Sequence, residues 1–199
     1  KPNPNIPATI ANIKNIIDVG VANGTDFLLK NYPKANYLFV EPYKKFHSNI
    51  ENNLLKMYKG KLFKYAAHNK KELKNFYKLD VSSSIIKRKN IKYKAKPIIV
   101  KADRLDSILK KQKITKDSIL KIDTEGNELN VLKRSTYILK KVNFLIIESR
   151  LKNVKTYNPN ELISFIYRKN FIWDSIINVG YAKNGISYMD ILFKKNKLN

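Results

Sequence analysis

Two short apolar runs separated by a helix-length segment constrain this chain more than any other feature. In "NIIDVGVANGTDFLLKNYPKANYLFVEP" (Asn15–Pro42) the runs "NIIDVG" (15–20) and "NYLFVE" (36–41) suit buried strands and are too short for core helices. Between them, Thr25 to Asn31 reads as a short helix stopped by Pro33. Strands joined through a helical crossover lie parallel, and a parallel sheet needs cover on both faces.

The same alternation continues along the chain. Strands are expected at "KLFKYAA" (61–67), "LKNFYKL" (73–79), "KPIIVKA" (96–102), "SILKID" (118–123) and "NFLIIES" (143–149). Helices are expected from Tyr43 to Met57, Leu105 to Lys111, Glu125 to about Lys133, and over 158–170, where Leu162, Phe165 and Ile166 share a face. "FIWDSII" (171–177) and "SYMDILF" (187–193) flank a glycine-containing turn and should return antiparallel. The fold class is therefore α/β, a mostly parallel sheet with a C-terminal antiparallel hairpin and its ligand site at the carboxyl ends of the strands. Without repeats or Gly/Ser linkers, and with 43% hydrophobic residues, residues 1–199 read as a single domain with an N-terminal extension over 1–14.

Gly20 and Gly24 follow the first strand, where glycine lets the backbone turn sharply and approach a ligand. A dinucleotide fingerprint would need glycines where Ala22 and Thr25 stand, and no phosphate-loop Gly-Lys-Ser/Thr occurs. What remains, D-x-G-x-x-x-G from Asp18, suits a cofactor with an adenosine but no phosphates. Glu41, 23 residues past Asp18, ends the second strand, where a carboxylate can accept from both ribose hydroxyls. S-adenosylmethionine fits this pattern, its sulfonium and ammonium suiting a pocket with Asp18 nearby. Alternatively, the glycines only make a tight turn and Glu41 caps the next helix.

A second cluster lies in "LKIDTEGNELNVL". Lys121 and Asp123 share a strand face, and Glu125 and Glu128 are expected on adjacent turns of one helix face. The helix dipole accounts for the acids, but a lysine in a buried central strand is costly without a partner. A Lys–Asp pair beside a substrate pocket is the sharper reading. Asp123 or Glu125 would accept a proton while Lys121 orients it. His47 and His68 read as satisfied surface or boundary residues, and no histidine or acidic grouping has recognised metal-site spacing, so no metal is assigned, a divalent ion held by Asp123 and Glu125 being the alternative.

The net charge is +24, from 35 Lys, 5 Arg and 16 acidic residues, alongside 24 Asn and 25 Ile. That combination follows from adenine- and thymine-rich codons, whereas nucleic-acid readers favour arginine forks. The lysines are dispersed, so a nucleic-acid partner is disfavoured. The chain contains no cysteine, which excludes disulfides and thiolate chemistry, and no run nears the ~20 apolar residues of a membrane span. A cytoplasmic location is the expectation.

These residues resemble the FkbM-type S-adenosylmethionine-dependent methyltransferases. "DVGVANG" is similar to the family's D-V-G-A-N-x-G, Glu41-Pro42 to its E-P pair, and "KIDTEGNELNVL" to its K-I-D-V-E-G-x-E-x-x-V-L. "ADRLDSIL" and "FLIIES" look like its flanking segments, so the resemblance spans about Ile16 to Arg150. It implies a Rossmann-like seven-stranded methyltransferase fold and methyl transfer to a hydroxyl on a sugar, glycan or other small metabolite. It places the cofactor against Asp18, Gly20, Ala22, Asn23, Gly24, Glu41, Pro42 and Ala67. The chain departs at Ala22, where the family has Asn, which shifts the expected side-chain contact to Asn23. The loop over 80–96 and the segment 151–199 are the expected acceptor-side and closing elements, with a lysine-rich rim suited to an anionic acceptor. A nucleic-acid methyltransferase and a non-catalytic binding module are the rival readings. Missing N/D-P-P-Y speaks against the first, and cofactor calorimetry would decide the second. Tyr157, Trp173 and Tyr181 read as core or sheet packing, with stacking on a sugar ring as the alternative.

Overall fold

The computed structural model describes residues 10, 12–87, 92–151, 156–183 and 185–196. Most of the expected N-terminal extension, and positions 88–91 and 152–155 of the expected acceptor-side segments, lie outside the described residues. The strands in order are β1 (Asn15–Val19), β2 (Asn36–Val40), β3 (Gly60–Phe63), β4 (Ala66–Ala67), β5 (Glu72–Phe76), β6 (Ile98–Asp103), β7 (Ser118–Ile122), β8 (Phe144–Arg150), β9 (Phe171–Ala182) and β10 (Gly185–Lys195). The helices are α1 (Asp26–Asn31), α2 (Lys44–Asn49), α3 (Leu55–Met57), α4 (Leu105–Ile108), α5 (Glu128–Lys133), α6 (Thr136–Lys141) and α7 (Pro159–Arg168), with a π-helical stretch, Ile50–Leu54, linking α2 to α3.

Seven strands form the main sheet in the order β3-β2-β1-β7-β8-β10-β9. The first five are parallel, and β10 runs antiparallel to both β8 and β9. The chain thus works outward from β1 in one direction and from β7 in the other. A crevice opens at such a reversal, above the carboxyl ends of β1 and β7.

Strand alternation sorts the core into two layers. Ile17, Val19, Leu38, Val40, Leu120, Ile122, Leu145 and Ile147 face the layer holding Leu129, Leu132, Ile138 and Leu162 of α5, α6 and α7. Ile16, Tyr37, Phe39, Ile119 and Ile146 face the layer holding Leu28, Phe46 and Ile50. The residues between are fully covered on both faces, which is why these strands read as continuous apolar runs rather than alternating ones.

Several sequence expectations change. "KLFKYAA" is two strands: after β3 a turn donates Tyr65 N–H to the Phe63 carbonyl at 3.0 Å, and Ala66 and Ala67 pair with β6 instead. β4, β6 and β5 form a separate three-stranded sheet, so 73–79 and 96–102 do not extend the main one. The helix expected to 111 ends at Ile108, with its C-cap Leu109 buried. α6 was not anticipated. α5 starts at Glu128 rather than Glu125 because Glu125 (φ 58°) and Gly126 (φ 104°) adopt left-handed backbone that no α-helix accommodates, so the two glutamates do not share a helix face. Tyr157 is buried, and Trp173 packs edge-on against Phe193, but Tyr181 is 77% exposed and belongs to no core. No helix among the described residues is long and apolar enough to cross a membrane.

Candidate active site

The end of β1 and the end of β7 are pressed together. Asp123 N–H donates to the Val19 carbonyl at 2.9 Å, and Gly20 N–H donates to Val40 at 2.9 Å. A Cβ on Gly20 would lie 1.7 Å from the Asp123 carbonyl oxygen, so only glycine fits there. Gly24 N–H closes the turn onto Val21 at 2.8 Å. Ala22, within the turn, has φ 47°, a conformation that costs an L-residue about 1 kcal/mol and that Asn tolerates better. Ala22→Asn is therefore expected to stabilise the protein by up to about 1 kcal/mol, read as a higher denaturant midpoint at unchanged slope. An unchanged or lower midpoint would show that the turn carries no such strain.

Glu41 directly follows β2 and is 4% exposed. Its Oε2 accepts from Ala22 N–H at 2.9 Å and its Oε1 from Tyr43 N–H at 2.7 Å. Burial nevertheless raises its pKa to about 7, outweighing the two backbone bonds. His47 Nε2 lies 2.9 Å from the Glu41 carbonyl oxygen, which can only accept, so His47 is a buried support for this turn rather than a surface residue. His68 is likewise buried, 3.1 Å from Glu72, with burial as the main cause of its lowered pKa.

Two adjoining cavities open above these strand ends. One is lined by Glu41, Pro42, Phe46, Ala67, Ile85 and Asn127. The other is lined by Asn23, Gly24, Lys121, Glu148, Arg150 and Asp190, among others. Gly20, Ala22, Val81, Asp123 and Glu125 line both and form the boundary between them. Asp18 lines neither: it is fully buried in β1, 3.6 Å from the Lys121 ammonium. Burial raises its pKa, and Lys121 offsets this only in part.

Lys121, the costly lysine, has its partners. Its Nζ lies 3.1 Å from Asp123 Oδ2 as well as near Asp18. Burial alone would lower its pKa, but Asp123, Asp18 and Asp190 outweigh it and keep the ammonium charged. Arg150 does the same for a second group, reaching Glu125 with one guanidinium nitrogen and Glu148 Oε1 with Nε at 2.9 Å. Carboxylate oxygens of Asp123, Glu125 and Glu148 come within 4.8 Å of one another, and the guanidinium of Arg150 bridges two of the three. Glu148 stands opposite Asp190 in the β8–β10 register, and burial followed by the neighbouring carboxylates raises the pKa of each.

Glu128 turns inward and fastens the loop before its own helix. Its carboxylate accepts from Thr124 N–H at 2.8 Å, from Gly126 N–H at 3.0 Å and from the Tyr157 hydroxyl at 2.6 Å. Asn127, fully buried, donates its side-chain N–H to the Ala67 carbonyl at 2.9 Å and so ties β4 to this loop. Asn127, Glu148, Arg150, Tyr188 and Asp190 were not singled out from sequence. An acid inside an apolar run, as in "FLIIES" and "YMDILF", was the available signal, since a buried charge needs a reason.

A seven-stranded sheet with a reversed terminal hairpin, a glycine turn after its first strand and an acid ending its second defines a Rossmann-like S-adenosylmethionine-dependent methyltransferase domain. Within that class the chain belongs to the FkbM methyltransferase family: residues 18–173 match the Methyltransferase FkbM domain. S-adenosylmethionine is its cofactor. No protein of curated function matches the chain. Among solved structures it is similar in fold to an uncharacterized protein from Listeria monocytogenes (12% identity, TM-score 0.51, 94% of this chain and 64% of that one). It is also similar to the magnesium protoporphyrin IX methyltransferase of Synechocystis with the cofactor bound (8% identity, TM-score 0.53, 94% and 74%). The chain thus spans a little under two thirds of the Listeria protein's length.

Proposed function

We propose that the protein transfers a methyl group from S-adenosylmethionine to a hydroxyl of a small, sugar-like acceptor. The observation carrying this reading is that Asp123 and Glu125 sit on the shared wall of two adjoining cavities, where a methyl group passing from one occupant to the other would lie. The cavity with Glu41 fits the adenosine. Each Glu41 oxygen accepts only one backbone N–H and keeps a lone pair for a ribose hydroxyl. Pro42, Phe46, Ala67 and Ile85 supply apolar walls for a base, and the Gly20–Gly24 turn lets backbone approach the rest of the cofactor.

The bound cofactor supplies an electrophilic methyl carbon. The protein's part is to align the acceptor oxygen with it and remove the acceptor's proton. Asp123 or Glu125 takes that proton, and Lys121 and Arg150 hold the two carboxylates in place. Four carboxyl groups against two cations line the second cavity, which favours a neutral, hydroxyl-rich acceptor portion there and leaves any anionic portion to the lysine-rich exterior. Screening sugars and glycolipids for labelled methyl incorporation tests the reading. Label entering only nucleic acid or amines would overturn it.

Glu41 gives the cofactor site a pH dependence. Ribose hydroxyls donate to the ionised carboxylate, so binding lowers a pKa that starts at about 7 in the free protein. Affinity should therefore rise with pH up to about 7 and then level off. Calorimetry from pH 5.5 to 8 should show Kd weakening by up to about tenfold per unit below that point. Glu41→Gln should bind more weakly throughout and lose this slope. A slope that survives in the variant would assign it to another group.

A further inference from the structure

We infer that the protein carries a phosphate-binding site on the flank of the domain, remote from the methyl-transfer cleft. Arg104, Asp106, Ser107, Lys110, Lys133, Arg134 and Thr136 line a surface depression of about 330 Å³ between α4 and the α5–α6 turn. None of these residues lines either cavity of the cleft. α5 begins beside the cleft at Glu128, and Lys133 and Arg134 lie at its other end.

Four cations and one acid, Asp106, line this depression, and among the described residues only Lys133 of the four cations has an acid within ion-pair distance. Asp106 accepts from Tyr137 N–H at 2.9 Å, from Ile138 N–H at 3.1 Å and from the Thr136 hydroxyl at 3.3 Å, which commits both oxygens to the first turn of α6. Lys133 pairs with Glu161 at 3.2 Å. Among the described residues no acidic group lies within ion-pair distance of Arg104, Lys110 or Arg134. The floor is fixed as well. Leu105 and Leu109 anchor α4 in the core, and the Asp106 bonds fasten α4 to α6.

Composition sharpens the assignment. Arginine makes up only 5 of the 40 basic residues, yet two of the five border this one depression. Lysine serves wherever a point charge suffices. A planar fork with parallel N–H donors is needed where an oxyanion is gripped by two oxygens at once. Two such forks, an ammonium and the Ser107 hydroxyl match the tetrahedral acceptor set of a phosphoryl group. The site would hold a phosphate whether or not the protein methylates a sugar, so it stands apart from the proposed acceptor.

The experiment is a calorimetric titration of the intact protein with inorganic phosphate and, separately, with the diester glycerophosphoglycerol, at fixed ionic strength. The wild type should bind at least one of them saturably, at one site. Preference for inorganic phosphate identifies a free phosphate or monoester source, and preference for the diester a lipid-headgroup or backbone source. Arg104→Ala/Arg134→Ala should weaken that binding by about tenfold or more. Lys56→Ala/Lys59→Ala, which removes the same charge from an exposed face elsewhere, should weaken it less than about twofold. S-adenosylmethionine binding, unchanged in both variants, verifies the fold. No saturable heat, or equal losses in the two double variants, would reduce the depression to part of the general +24 field and overturn the assignment.

Discussion

Gly20→Ala will destabilise the protein by about 3 kcal/mol or more and abolish cofactor binding in whatever fraction stays folded. Two independent penalties coincide at this residue. Its φ of 81° is left-handed, and its missing side chain would sit 1.7 Å from the Asp123 carbonyl oxygen. That obstacle is backbone at the end of a central strand and cannot swing aside. Accommodating the methyl would part β1 from β7 where Asp123 N–H bonds Val19, and Asp123 and Ala22 would move with them. For a chain this size such a loss corresponds to a Tm lowered by roughly 10 °C. Gly24→Ala should cost less, because a Cβ there meets only the side-chain tips of Leu29 and Leu54, at 3.1 and 3.2 Å, besides the strain of φ 109°. If Gly20→Ala melts within about 2 °C of wild type, the close approach of the two strands is not what the glycine serves.

Removing the proton acceptor is the second large effect. Either Asp123→Asn or Glu125→Gln should lower turnover by about 10²–10⁴, with the cofactor Kd changed little. The scaffold survives both changes for identifiable reasons. Without a charged Asp123, Lys121 still faces Asp18 at 3.6 Å, and without a charged Glu125, Arg150 still reaches Glu148. The substitution that acts is therefore the one whose carboxylate meets the acceptor hydroxyl, and the other should give a smaller loss through altered positioning. A bell-shaped rate profile losing its acidic limb would single out the base. Near-full activity in both variants would remove these residues from the mechanism.

The local geometry legible in the sequence is the part built from adjacent residues. The glycine turn, Glu41 at a strand end, and Lys121 two residues before Asp123 each follow from local spacing, and the strand period then puts Lys121 and Asp123 together. Asp18 was read from sequence as lying against the cofactor, but it is buried beside Lys121 and lines neither cavity, an arrangement that depends on the β1–β7 register pairing Asp18 with Lys121. Glu125 was misread as helical since nothing local announces that a glutamate, rather than only the following glycine, takes positive φ. Arg150 ends β8, and Tyr188 and Asp190 reach the cleft from β10, in a hairpin whose register shifts at three points that no periodicity in the sequence encodes. The separate three-stranded sheet escaped for a similar reason, since its strands are short and its pairings are long-range.

The insertion of β10 between β8 and β9 has a consequence for biosynthesis. While the ribosome is still making residues before Gly185, β8 has no neighbour on one side, and its row of amides and carbonyls is open to any passing extended segment. The hairpin must emerge whole before its second arm can slot home, so a stalled or truncated nascent chain would be a substrate for chaperones rather than a slightly shortened enzyme.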